Sequence, residues 1–267
     1  MDIIAFSIGT LNFYWYGIIT SIAILVGMLI TGVGLYFRRE KSTVMIDLLL
    51  FAIPVGIIVS RIFYVFLHWK LYSGNMTEIM AFNCGGFSIY GAFVGFLFVV
   101  YFYTKLRKLS FWYWLDILVP AIVFGVAIDQ LGHFIFQTIV GMPDNGKTVE
   151  YIEYAFRPAG FEQYEYFKPV ALYQAIWQFI VFLVVTVLSF IQIKNHSILF
   201  GNVFLVGMSM VCLGRFLFGF FYLTTQHGMQ LHTGQFISLV VLISCLALWT
   251  IRNYLPNKSL VKSIFRV

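Results

Sequence analysis

The chain has 267 residues, 61% of them hydrophobic and only 10% charged, with a mean hydropathy of +0.89 and a formal net charge of +6. This balance excludes a soluble globular domain, and the apolar runs near 20 residues that recur along the whole length are the pattern of transmembrane helices. The cation excess suits a surface of anionic lipid head groups rather than nucleic acid.

In chain order, "MDIIAFSIGTLNFYWYG" has neither a basic region nor a small-residue cleavage site, so the first helix is expected to be retained and not removed as a signal peptide. Seven spans are predicted, near 15–37, 44–67, 86–104, 112–136, 170–193, 199–222 and 234–252. Together they make an all-α integral membrane protein, read as one polytopic domain over 1–267. Cations gather in alternate connections: Arg38, Arg39 and Lys41, then Lys105, Arg107 and Lys108, then Lys194, then Arg252, Lys258, Lys262 and Arg266. The positive-inside rule places these in the cytoplasm, with the N-terminus outside and the C-terminus inside. On the outer side runs a long connection, 141–169, "GMPDNGKTVEYIEYAFRPAGFEQYEYFKP". It is read either as an aromatic segment lying along the interface and gating a lateral opening, or as a solvated connector. Cys212 and Cys245 lie in apolar runs and read as small core residues, whereas Cys84 in "FNCGG" is the one expected near a surface. The cysteines form no metal-ligand spacing, and neither a metal nor a cofactor is expected.

The polar residues inside the spans carry the functional reading. "GVAIDQLGHFIFQ", 125–137, places Asp129, Gln130, His133 and Gln137 within about 100° of one another on a helix. Arg61, Asp129 and Arg215 each stand roughly seven residues from the outer end of a span, about 10 Å deep. A charge at that depth needs a partner or a wet cavity. Asp129 can pair with one arginine, and the other cation then suits a lipid phosphate, which the planar guanidinium fork matches. Tyr14, Tyr16, Tyr90, Lys168, Tyr173, His232, Thr233 and Gln235 fall at the same level. The expectation is one outward-facing polar cavity. The plainer readings are an aromatic belt for Tyr14, Trp15 and Tyr16, and helix-to-helix hydrogen bonding for Asp129, Gln130 and His133.

Several stretches, in this order and spacing, resemble the bacterial prolipoprotein diacylglyceryl transferases. They are "FYWYG" at 13–17, "SRIFYV" at 60–65, "GGFSIYGAFVG" at 85–95, "LGHFI" at 131–135, "KPVALYQ" at 168–174, "GRFLFGFF" at 214–221 and "TGQFISL" at 233–239. The resemblance implies a multi-pass enzyme of the bacterial cytoplasmic membrane. Such an enzyme moves the diacylglyceryl group of phosphatidylglycerol onto a prolipoprotein cysteine and releases glycerol phosphate. This chain departs from the family signature at several positions. Gln130 stands where an arginine is expected, His133 and Phe136 where asparagines are, Tyr90 where a histidine is and Gly219 where a glutamate is. The family's His-Pro-Ser-Gln-Leu-Tyr-Glu is "KPVALYQ" here.

Asp129 and His133, at i and i+4, can touch on one helix face, and the pair reads either as an acid–base pair that takes over from the missing histidine or as a neutralising pair in an inactive relative. The candidate catalytic residues are therefore Asp129, His133 and Tyr90. Those for lipid or phosphate binding are Arg215, Arg61, Gln130, Gln235 and Tyr16. Expected partners are an anionic phospholipid, phosphatidylglycerol, and a prolipoprotein or other acceptor chain. Two other functions stay open. One is a non-catalytic membrane partner that binds a lipid or lipoprotein. The other is a transporter, ranked last because paired broken helices and inverted repeats are missing.

Overall fold

A computed structural model describes residues 4–8, 11–72, 79, 86–144, 149–154, 157–195, 198–223 and 233–254. Within them lie a hairpin of β1 (Ile4–Ile8) and β2 (Leu11–Tyr14), then α1 (Trp15–Arg38), α2 (Ser42–Leu67), the short α3 (Trp69–Tyr72), α4 (Ile89–Leu106) and α5 (Phe111–Ile135). The two-residue strands β3 (Glu150–Tyr151) and β4 (Tyr166–Phe167) follow, and then α6 (Val170–Asn195), α7 (Asn202–Phe218) and α8 (Thr233–Tyr254). The seven long helices are each long and apolar enough to cross a membrane, which makes this a multi-pass membrane protein. The reason is backbone chemistry. In hydrocarbon every N–H and C=O must be satisfied within its own segment, and a helix does that.

Three helices stop in the same way. Arg39, Lys108 and Gln137 have φ of 57°, 57° and 52°. The next residue's N–H then reaches back five positions, Glu40 to Leu35 O, Leu109 to Thr104 O and Thr138 to His133 O, at 3.0, 2.8 and 3.1 Å. This left-handed closure answers carbonyls that the helix end would leave open. Its consequence at α5 corrects the stripe drawn through Gln137. The helix has already ended there, and the Gln137 amide instead donates to Tyr151 O at 2.8 Å.

The chain divides into two compact units, Met1–Gly34 with Asp116–Arg266, and Leu35–Leu115. In the first, α7 is the axis. Its N-terminus is answered by Asp116, fully buried on α5, whose carboxylate accepts from the N–H groups of Gly201 (2.6 Å) and Phe204 (2.8 Å) and from Gln192 Nε2 of α6 (2.7 Å). A carboxylate at a helix N-terminus suits the orphan donors and the dipole. Cys212 and Cys245 are buried in this unit.

The 141–169 connection is folded where it is described. Strand β3 pairs antiparallel with β4, Pro143 bridges to Phe167, and Gly141 bridges to Tyr222. Ile152 and Phe167 are fully buried. Arg157 staples the excursion, donating from Nε to Ile152 O (3.0 Å) and from Nη1 to Glu162 O (2.9 Å), with Tyr151 and Tyr154 rings 5.9 and 5.5 Å away. Partial burial of Glu150 pushes its carboxyl up to about 7.

In the second unit, α2 and α4 meet along glycines. A Cβ on Gly91 would stand 2.7 Å from Ser60 Cα, and one on Gly95 would stand 3.1 Å from Gly56 Cα, so only glycine permits this approach.

Candidate active site

In the first unit, the last two turns of α5 carry the acid and the imidazole. His133 Nε2 stands 3.6 Å from Asp129 Oδ2, an ion-pair distance longer than a direct hydrogen bond. The close partner is a residue that sequence reasoning passed over. Thr138 Oγ1 lies 2.6 Å from His133 Nδ1. The left-handed closure at Gln137 places it there, because the Thr138 N–H bonds the His133 carbonyl. The imidazole is therefore gripped from both nitrogens, with Asp129 on one side and a hydroxyl on the other. Both contacts are attractive for a neutral ring when Nε2 carries the proton toward the carboxylate and Nδ1 accepts from the hydroxyl. Asp129 and His133 are partly buried, their side chains 16% and 24% exposed, so both remain reachable.

Arg215 sits in the last turn of α7, half-buried. Its backbone is held by what surrounds Gly214. The Trp177 ring of α6 fills the space where a Gly214 Cβ would be, and its Nε1 donates to Met210 O at 2.9 Å. Gln235, near the start of α8, is buried against Gly219 and donates from Nε2 to Phe216 O at 3.3 Å. Gln235 thus ties α8 to the end of α7, beside Arg215. Lys168, just before α6, holds its Nζ 5.2 Å from the Phe221 ring.

Gln130 is 3% exposed, turned into the bundle rather than along the Asp129–His133 edge, and its Oε1 has no hydrogen-bond partner among the described residues. Gln174 and Gln178 of α6, both 2% exposed, share that condition at Nε2 and Oε1 respectively. Gln178 drew no attention in the sequence, although its spacing of four from Gln174 put it on the same face.

In the second unit, Arg61 is 3% exposed, donating from Nε to Ile79 O (3.2 Å) and from Nη1 to Gly86 O (3.0 Å), with Tyr72 and Tyr64 rings 5.3 and 6.0 Å away. Gly86 has φ of 76° and a Cβ there would stand 2.7 Å from Arg61 Nη1, so this turn needs glycine. Tyr90 is half-buried in the first turn of α4, just past Ser88, whose N–H bonds Ser60 O at 3.2 Å. The Tyr16 side chain, His232, the Thr233 side chain and Cys84 lie outside what the structure describes.

A bundle of membrane-spanning helices holding an acid–imidazole pair is the frame of a membrane-embedded polar site. The model of the prolipoprotein diacylglyceryl transferase family matches residues 3–251, and the chain belongs to that family. A phosphatidylglycerol–prolipoprotein diacylglyceryl transferase of Bacillus velezensis is 31% identical over 254 residues, 94% of this chain and 92% of the relative. Its counterpart in Halalkalibacterium halodurans is 29% identical over 259 residues, covering 95% and 87%, and that of Listeria innocua is 26% identical over 260 residues, covering 96% and 92%.

Proposed function

We infer that the chain transfers the diacylglyceryl group of phosphatidylglycerol to the cysteine thiol of a prolipoprotein, from within a bacterial cytoplasmic membrane and with its N-terminus outside. The observation that carries the reading is the His133 ring held between Asp129 and Thr138 in a chain matched by the family along 3–251.

In the proposed reaction the cysteine thiol gives up its proton and the sulfur attacks the glyceryl CH2 carbon of the lipid. A carbon–sulfur bond forms while the carbon–oxygen bond to phosphate breaks, and glycerol phosphate leaves with the electron pair. Arg215 binds the phosphate and stabilises the charge that builds on it. His133 takes the thiol proton as general base. Its open lone pair is on Nδ1, which faces the Thr138 hydroxyl, so the proton travels through that hydroxyl. Asp129 then faces the imidazolium. Gln235 positions the α7 end beside Arg215. In the second unit, Arg61 secures the turn at Gly86 that leads into α4, where Tyr90 stands at the family's histidine position. Tyr16 is assigned to the lipid at the start of α1.

The test is purified protein in nanodiscs with phosphatidylglycerol labelled in its head group and a peptide bearing the acceptor cysteine. Release of labelled glycerol phosphate is expected, falling roughly 10²–10⁴-fold in His133→Ala. Lipid binding without release would favour the other reading, a non-catalytic lipid- or lipoprotein-binding partner. That reading draws its support from the replaced signature positions at Gln130, Tyr90 and Gly219.

A further inference from the structure

Helices α5 and α6 run antiparallel, as their contacts show: Asp116 meets Gln192 and the Phe124 ring centroid lies 5.3 Å from that of Phe182. Carried on at the same register, Gln130 stands opposite Gln178, with Gln174 one turn beyond. The faces agree. At 100° per residue, Gln174 lies in line with Gln192, and Gln130 lies about 40° from Asp116. One stripe thus has polar groups at both ends. At the Asp116 end they close on one another, Gln192 Nε2 to Asp116 at 2.7 Å. At the other end three buried amides leave Gln130 Oε1, Gln174 Nε2 and Gln178 Oε1 unanswered among the described residues.

Buried amides with open valences in a membrane protein call for an occupant that hydrogen-bonds. Its chemistry follows from the groups. The three are neutral, and their open atoms are two acceptors and one donor. A phosphate only accepts and an ammonium only donates, whereas adjacent hydroxyls do both. Pairing of α6 with α7 through Trp177–Met210 and Tyr173–Phe218 puts Arg215 near the level of Gln174.

We propose that Gln130, Gln174 and Gln178 form a neutral subsite that binds the vicinal hydroxyls of a lipid head group, beside the phosphate held by Arg215. This rests on the reading of phosphatidylglycerol as the donor lipid and assigns the selection of its head group to amides on α5 and α6.

Phosphatidylpropanol has the same charge and phosphate but no head-group hydroxyls. In nanodiscs, the full chain is expected to bind phosphatidylglycerol roughly tenfold or more tightly than phosphatidylpropanol, because groups built to bond a hydroxyl are left open by its absence. Gln130→Leu and Gln178→Leu should each reduce that ratio to about twofold or less, with phosphatidylpropanol binding unchanged. Competition by millimolar free glycerol would show that the subsite takes the polyol without its lipid. If one variant fails to fold, the other, on a different helix, and the wild-type ratio still decide. Equal binding of both lipids by the wild type means that the amides hold water only, and overturns the proposal. So does an unchanged ratio in a folded variant. If the binding preference stands but no diacylglyceryl transfer occurs, the transferase reading fails and the subsite remains. Transfer without head-group preference has the opposite meaning.

Discussion

Trp177 fills the space beside Gly214 that any larger residue would need, and its Nε1 is bonded to Met210 O at 2.9 Å. Arg215 is the next residue along α7, so the indole sets where the guanidinium begins. Gly214→Ala is expected to displace the ring and cost about 1–3 kcal/mol, the usual range for overpacking. Thermal unfolding in detergent measures it. Trp177→Phe keeps most of the ring and loses the donor, so a smaller loss of about 1 kcal/mol should follow. Equal losses in the two would mean that the bond, not the close packing, holds α6 to α7.

Asp116 answers two backbone donors of α7 and one side-chain donor of α6. Asp116→Ala strips all three at once. A loss of at least about 3 kcal/mol is expected, since each buried unsatisfied group costs about 1–3 kcal/mol. The fraction that stays folded should turn over at the wild-type rate, because Asp116 lies near the end of α5 opposite to His133. Activity lost per folded molecule would contradict that division of roles.

The Thr138 hydroxyl is the short contact of the His133 ring. Thr138→Val should lower the transfer rate roughly 10²-fold or more, within the range of general base catalysis, and leave the KM for lipid unchanged. Thr138→Ser, which keeps the hydroxyl, should restore most of it. A rate untouched in the valine variant would take the hydroxyl out of the proton path and leave Asp129 as the partner that matters.

Glu150 begins β3, and partial burial raises its carboxyl to about 7 from an unfolded value near 4.5. The sign follows from proton counting. Between those values the folded segment binds more protons than the opened one, so its stability falls as pH rises and is lowest above about 7. Hydrogen-exchange protection of the Ile152 N–H, bonded to Glu165 O at 3.1 Å, should therefore drop between pH 5 and 8. Glu150→Gln should flatten the drop. A pH-independent protection factor in the wild type would show that Glu150 is fully hydrated.

The seven spans were legible because length and apolar content decide them, and neither depends on what a helix packs against. Asp129 and His133 were legible as a pair because i and i+4 share a face. Thr138 was not, since it follows a left-handed Gln137, and nothing in "HFIFQT" announces that turn. Asp116 looked like an ordinary residue near a span's start, and its role depends on Gly201 and Phe204, more than 80 positions away. Gln178 passed as one polar residue in an apolar run until its burial showed which way it points. The β1–β2 hairpin was hidden in "IAFSIGTLNFY", whose apolar content reads equally as the approach to a helix.

The unit built from Met1–Gly34 and Asp116–Arg266 is discontinuous in the chain. Helix α1 has a partner in α5, where Gly27 faces Ala121. The ribosome makes roughly 80 residues between them, a delay of about 4–16 s at about 5–20 residues per second. During that interval α1 lacks the α5 face that Gly27 meets in the finished structure. A polar substitution on α1 that the finished bundle would shelter against α5 is thus exposed to lipid at the moment of insertion. Such a variant should lose more in biogenesis than the thermal stability of its assembled molecules accounts for, as pulse–chase insertion compared with thermal unfolding would show.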